Sequence, residues 1–218
     1  MSAFHVLSRR QFIGATVGAL ASTATPAFAK RYRLNEADRE FYADVYGPLL
    51  DEPFPIPAVD LDHLDPIYLR RSGDYATAEQ PGTVIVDTTN RVLFLTLPEG
   101  KAIRYGIGIG RAGFEWSGRA VIKFKRAWPT WTPPAEMIDR QPELAEWRYG
   151  MPPGLDNPLG ARALYIYKDG VDTLYRLHGN GDVNSIGKAV SSGCVRLLHH
   201  DVIDLYRRVP DDTPIVVM

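Results

Sequence analysis

The chain has 218 residues, with 25 Lys plus Arg against 26 Asp plus Glu, 45% hydrophobic and 23% charged residues. That length favours one globular domain with a small extension, and the composition excludes a disordered or collagen-like chain. A net charge of −1 argues against an electrostatic grip on nucleic acid, so no nucleic-acid partner is expected. Seventeen prolines and nineteen glycines point to many turns, and so to short strands rather than long helices. There is one cysteine, Cys194, so the fold does not depend on an intrachain disulfide.

Residues 1–29 are set aside. Ser8-Arg9-Arg10-Gln11-Phe12 is followed by a weakly apolar run rich in Ala, Gly and Thr that ends at Ala27-Phe28-Ala29, and no acid precedes Glu36. This reads as an export signal of the twin-arginine type, cut after Ala29, with the periplasm as destination. A membrane anchor is the competing reading, but the run is short and poorly apolar for a span.

Residues 34–46 predict a helix: Asn35 is placed to cap it, acids fill its first turn, and Gly47-Pro48 stops it. The proline-rich stretch 51–60 is unfit for a sheet interior, so residues 30–66 read as an extension packed on the outside of a domain covering 67–218. From Gly82 to Gly110 three β-rich runs are separated by Asn90-Arg91 and Glu99-Gly100. Another strand alternates from Ala120 to Phe124. Two more, 162–168 and 172–178, flank Asp169-Gly170, a strong hairpin signal. Residues 199–208 predict a short helix and 214–218 a final strand. The expected architecture is mainly β, a mixed β-sandwich with a few short helices.

Several motifs carry less than they promise. Gly108-Ile109-Gly110-Arg111-Ala112-Gly113 matches the dinucleotide fingerprint in letters, but no βαβ unit surrounds it. His199, His200 and Asp201 lie close after Cys194, yet neighbouring histidines point different ways and no H-x₃₋₅-H pair accompanies them. They read as a helix start, and no metal or cofactor is expected. Trp116 and Trp147 read as packing residues. The stretch Trp128-Pro129-Thr130-Trp131 reads as a rigid loop carrying two aromatics, a wall for an extended substrate.

The strongest signal is residues 177–198. His178 ends a strand and is followed by Gly179 and Gly181. Cys194 sits behind Ser191-Ser192-Gly193 and opens a new apolar run. A cysteine nucleophile needs a base to hold it as thiolate, a third group to orient that base, and backbone N–H groups aimed at the developing oxyanion. Glycine at 193 lets the chain turn tightly enough for those amides to converge. The competing reading is an inert buried cysteine with an incidental histidine.

His178-Gly179 followed by Ser191-Ser192-Gly193-Cys194-Val195-Arg196-Leu197 resembles the signature of the L,D-transpeptidase family, the YkuD-type catalytic domain. The runs from Pro81, Tyr105 and Asn157 resemble the family's opening hairpin, glycine loop and pre-catalytic segment, so the likeness covers about residues 67–218. The resemblance implies a transferase that attacks peptidoglycan tetrapeptide stems between the L-centre of a diamino acid and the following D-alanine. Cys194 matches the nucleophile, His178 the base, and the Gly179 carbonyl the orienting group. Amides around Gly193 and Cys194 would form the oxyanion hole. Arg196, Ser191 and Ser192 match motif positions beside the substrate. Many members have histidine where this chain has Ser192, which leaves His178 as sole base. The acyl acceptor is a second stem, a wall-attached protein, or water, the last making a carboxypeptidase. A monomer is expected. The competing classes are a wall-binding module without chemistry and a zinc peptidase.

Overall fold

A computed structural model describes residues 34–110, 117–191 and 193–218. The expected export signal, Trp116, the loop from 111 and Ser192 lie outside the described residues. The described residues belong to one compact unit, so the described part of the extension and the domain that follows it share a single body.

Helix α1 (Glu36–Val45) starts where expected, with the Asn35 side chain accepting the Asp38 N–H at 2.8 Å. Strand β1 (Arg71–Asp74) follows, then β2 (Val84–Asp87), β3 (Val92–Leu97) and β4 (Lys101–Gly106). The β2–β3 and β3–β4 turns place Arg91 at φ 56° and Glu99 at φ 61°. Strands β5 (Ile109–Gly110) and β6 (Gly118–Ala127) come next, then the short helix α2 (Ala135–Arg140), which the sequence reading missed. Strands β7 (Arg162–Lys168) and β8 (Val171–Asn180) form the expected hairpin. Asp169 and Gly170 both take positive φ, as a two-residue turn between twisted strands requires. The chain ends with β9 (Ala189–Ser191), β10 (Val195–Leu198), α3 (His199–Arg208) and β11 (Thr213–Val217).

Nine strands form one sheet in the order β1-β4-β3-β2-β11-β6-β7-β8-β10, and β5 pairs with β9. The neighbours are antiparallel except β11 with β2 and β10 with β8. The sheet curls until Gly108, just past β4, bridges to Arg196 on β10, with Arg196 N–H to Gly108 O at 2.8 Å and Gly108 N–H to Arg196 O at 2.9 Å. The expected sandwich is thus one sheet folded over itself, a closure that covers the β10 edge. Val84, Leu93, Tyr105, Ile122, Ile166, Leu177 and Leu197 meet inside it, and α3 adds Val202 and Leu205. Each such aliphatic side chain is worth about 1.5–3 kcal/mol when fully buried.

The extension is not a loose cover. Tyr46, Leu64 and Leu69 pack with Ile186 and Leu198, and Ile56 packs with Trp128, Ala161 and Ile203. Beneath Tyr46 lies a buried polar network. The Tyr46 hydroxyl donates to Asp201 at 3.1 Å and accepts the Arg70 N–H at 2.8 Å, while the Arg70 guanidinium stands 3.7 Å from Asp201. Asp201 is fully buried, and burial pushes its carboxyl up to about 7 despite Arg70 and Tyr46.

A stability prediction follows from Asp201. Its folded pKa lies above the unfolded value, so the folded state binds its proton more tightly. Its contribution is therefore full below about pH 4 and is lost as pH rises to about 7. His178 and His199, both pushed down to about 4 by burial, act in the opposite sense between about 4 and 6.5. The difference in melting temperature between wild type and Asp201→Asn isolates the carboxyl. We expect the variant to gain on the wild type steadily from pH 4 to 7. Parallel curves across that window would refute a buried, proton-retaining carboxyl.

Candidate active site

Parallel pairing of β10 with β8 brings the two strongest candidates together. Val195 pairs with Leu177 and Arg196 with His178, so Cys194, at the bend just before β10, enters beside Arg176. Antiparallel pairing with β7 sets Ala163 on the other side of His178. A small residue there leaves room for the imidazole.

His178 is buried, and its Nδ1 lies 3.0 Å from the Gly179 carbonyl oxygen. A carbonyl only accepts, so Nδ1 carries the proton and Nε2 keeps its lone pair. Burial lowers the imidazole to about 4, with the Arg196 and His199 charges acting in the same direction and the Gly179 and Pro158 carbonyls opposing. The Cys194 thiol lies 3.8 Å from the Leu174 carbonyl oxygen. Burial pushes the thiol up, against the Arg176 backbone N–H and the charges of Arg176 and Arg196. Both shifts favour neutral forms. Burial thus works against a standing thiolate–imidazolium pair, the form in which His178 would hold the thiolate.

The glycines have separate causes. Gly193 takes φ 139°, a conformation that L side chains rarely adopt. Gly110 must be glycine for another reason: a Cβ there would lie 2.6 Å from the Gly193 backbone. The same pairing sets Ser191, at the end of β9, opposite Gly110. Gly108 and Gly110 of the glycine-rich stretch thus serve close backbone approach. The gap between β5 and β6 is too short for the crossover of a βαβ unit, which needs about ten residues or more.

One reading is corrected. Trp128 is not a substrate wall. It is buried at 8% exposure, packs on Phe54 with ring centroids 4.8 Å apart, and gives its indole N–H to Glu52 at 2.8 Å. Glu52 also grips Arg162 at 2.6 Å, so the extension anchors that tryptophan. Trp131 is half-buried and bridges to Met151 through paired backbone bonds of 3.1 and 2.7 Å. His199 and His200 begin α3 as expected, and both are buried. The His199 ring fills space that a Cβ on Gly160 or Gly179 would invade, at 2.4 and 2.6 Å. Among the described residues, no group of three His, Cys, Asp or Glu is arranged to hold a metal ion.

The sequence reading also missed functional neighbours. Asn157 is buried, and its amide donates to the Pro129, Met151 and Pro152 carbonyls at 3.0–3.2 Å, tying both ends of the 129–152 loop to the turn that leads into β7. Leu174 and Arg176 flank the thiol. No spacing in the sequence signals them, because the bulge that brings them to the thiol depends on pairing with β7.

Residues 81–217 match the L,D-transpeptidase catalytic domain family, YkuD. The chain is 36% identical over 143 residues to the probable L,D-transpeptidase YbiS of Escherichia coli K12, covering 61% of this chain and 42% of that protein. It is 32% identical over 167 residues to the probable L,D-transpeptidase ErfK/SrfK of the same strain, covering 70% and 51%. The chain thus spans about half the length of these curated relatives. A crystal structure from Brucella melitensis, named a probable carnitine operon oxidoreductase, is 41% identical with a TM-score of 0.50, covering 71% of this chain and 96% of that one.

Proposed function

Because the chain belongs to the L,D-transpeptidase catalytic domain family, we propose that it is a cysteine acyltransferase acting on peptidoglycan stem peptides. The observation that carries the reading is the placement of Cys194 and His178 on adjacent parallel strands, with the imidazole tethered by the Gly179 carbonyl.

The donor is a tetrapeptide stem. The Cys194 sulfur attacks the carbonyl carbon between the diamino acid and D-alanine while the S–H proton passes to His178 Nε2. The oxyanion is received by the backbone amides at Gly193 and Cys194. The C–N bond breaks, D-alanine leaves with the proton from His178, and a thioester remains on Cys194. An acceptor amine, or water, then attacks the thioester and returns the thiol. Arg196, whose backbone is in register with His178, would meet a substrate carboxylate.

Intact-protein mass spectrometry with a disaccharide-tetrapeptide tests this. The expected result is a thioester adduct equal to the stem minus D-alanine, mapped to the Cys194 peptide. A 3–3 linked dimer then reports a stem acceptor, a tripeptide reports water, and a protein conjugate reports wall attachment. No adduct and no product on folded, reduced enzyme would leave only a binding module.

We also infer export to the periplasm through residues 1–29, supported by Arg9-Arg10 ahead of the weakly apolar run. Replacing Arg9 and Arg10 with lysine is expected to strand the precursor in the cytoplasm on fractionation. Normal export of that variant would indicate the general secretory route.

A further inference from the structure

Strand β8 breaks its pairing with β7 beside the nucleophile. Tyr165 pairs with Arg176, but Tyr167 pairs with Asp172, so Thr173, Leu174 and Tyr175 together oppose Ile166. This is a bulge, and Leu174 within it takes φ 62°, left-handed for a residue with a side chain. Four contacts pin it. The Thr173 hydroxyl donates to the Ile166 carbonyl at 2.6 Å, and Asp172 accepts the Leu174 N–H at 2.8 Å. The Arg176 guanidinium grips both Asp172 carboxylate oxygens, at 2.7 and 2.8 Å. It also lies 4.3 Å from the centre of the Tyr165 ring. The consequence is directional. The Leu174 side chain is turned out to solvent, while its carbonyl faces the Cys194 sulfur at 3.8 Å.

We propose that the Asp172–Arg176 pair is a positioning device for the Cys194 thiol. The pair holds the bulge in the conformation that presents the Leu174 carbonyl to the S–H, and Arg176 supplies the positive charge that favours the thiolate as the proton departs. The charged and titratable groups around the sulfur are Arg176 from β8, Arg196 from β10, Asp172 behind Arg176, and His178 two residues further along β8. Carboxylate and guanidinium are both needed. Without Asp172 the charge remains but the bulge loses two of its ties. Without Arg176 the bulge loses its clamp and the thiol loses a cation. Arg176 and Asp172 act through the sulfur and need touch no substrate. The inference rests on Cys194 as the nucleophile.

The test is the pH dependence of iodoacetamide alkylation of the single cysteine, with melting temperature and acylation by the tetrapeptide stem measured on the same samples. Arg176→Met is expected to raise the alkylation midpoint by about one pH unit and to cut alkylation at pH 7.5 about tenfold. Arg176→Lys, which keeps the charge, should bring the midpoint most of the way back. Asp172→Asn, at a half-exposed position that tolerates the change, should lower the midpoint while still slowing acylation, because the charge is released and the bulge is loosened. A lower melting temperature in Arg176→Met with an unchanged midpoint would make the pair merely structural and overturn the proposal. A shifted midpoint with wild-type acylation would retain the pair as a thiol-positioning device and overturn Cys194 as the nucleophile.

Discussion

Cys194→Ala is expected to abolish acyl transfer, by about 10⁴-fold or more, and to leave the fold intact. The thiol is the only group in the chain able to form the thioester, and the single cysteine has no intrachain disulfide to lose. Replacing S–H with hydrogen at a half-buried bend removes little apolar contact, so the stability cost is about 1 kcal/mol or less. Gly193 keeps its left-handed conformation, and the pairing of β10 with β8 begins one residue later, at Val195. Release of D-alanine from tetrapeptide stems, read by chromatography, together with an unchanged circular-dichroism melting curve, is the check. Turnover persisting in this variant would sink the covalent mechanism.

His178→Ala should lower acylation about 10²–10⁴-fold, the usual range for a general base. Its pH profile is the sharper measurement. The neutral imidazole is the working form, and burial holds its pKa at about 4. As pH falls through that value the ring protonates and the base is lost, so the acid limb of kcat/KM should have its midpoint near 4 and the plateau should extend through pH 6. A standing thiolate–imidazolium pair predicts something different. There the acid limb follows a depressed thiol pKa, and iodoacetamide alkylation stays fast at pH 6. The structure gives the reverse direction, because burial raises the thiol. Fast alkylation at pH 6 would therefore return the site to the ion-pair reading. His199→Ala removes a buried ring that packs against Gly160 and Gly179, so it should cost stability as well as activity. Substitution at His178 is expected to act mainly on rate.

Local chemistry was legible in the sequence wherever a few adjacent residues decide the outcome. Asn35 capping α1, Asp169-Gly170 turning β7 into β8, and the amphipathic run of α3 all follow from backbone preferences and side-chain periodicity over one or two turns. The His178, Gly193 and Cys194 signature was legible for a related reason. Acyl transfer by a thiol demands those residue types, whatever surrounds them. What the sequence left open depends on partners far along the chain. Trp128 looked like an exposed aromatic until Glu52 and Phe54 of the extension were seen to cover it. The shift of both thiol and imidazole toward their neutral forms comes from desolvation, which no spacing of residues reveals. The parallel pairings of β10 with β8 and β11 with β2 join segments whose own patterns do not name a neighbour. The sequence by itself determined most of the elements, the turns and the family signature that names the candidate residues, because these answer to local sterics and to the needs of the chemistry. Only the tertiary structure decided which strand lies beside which, what is buried, and hence how the reactive groups are charged, because pairing and desolvation are set by contacts between residues distant in the chain.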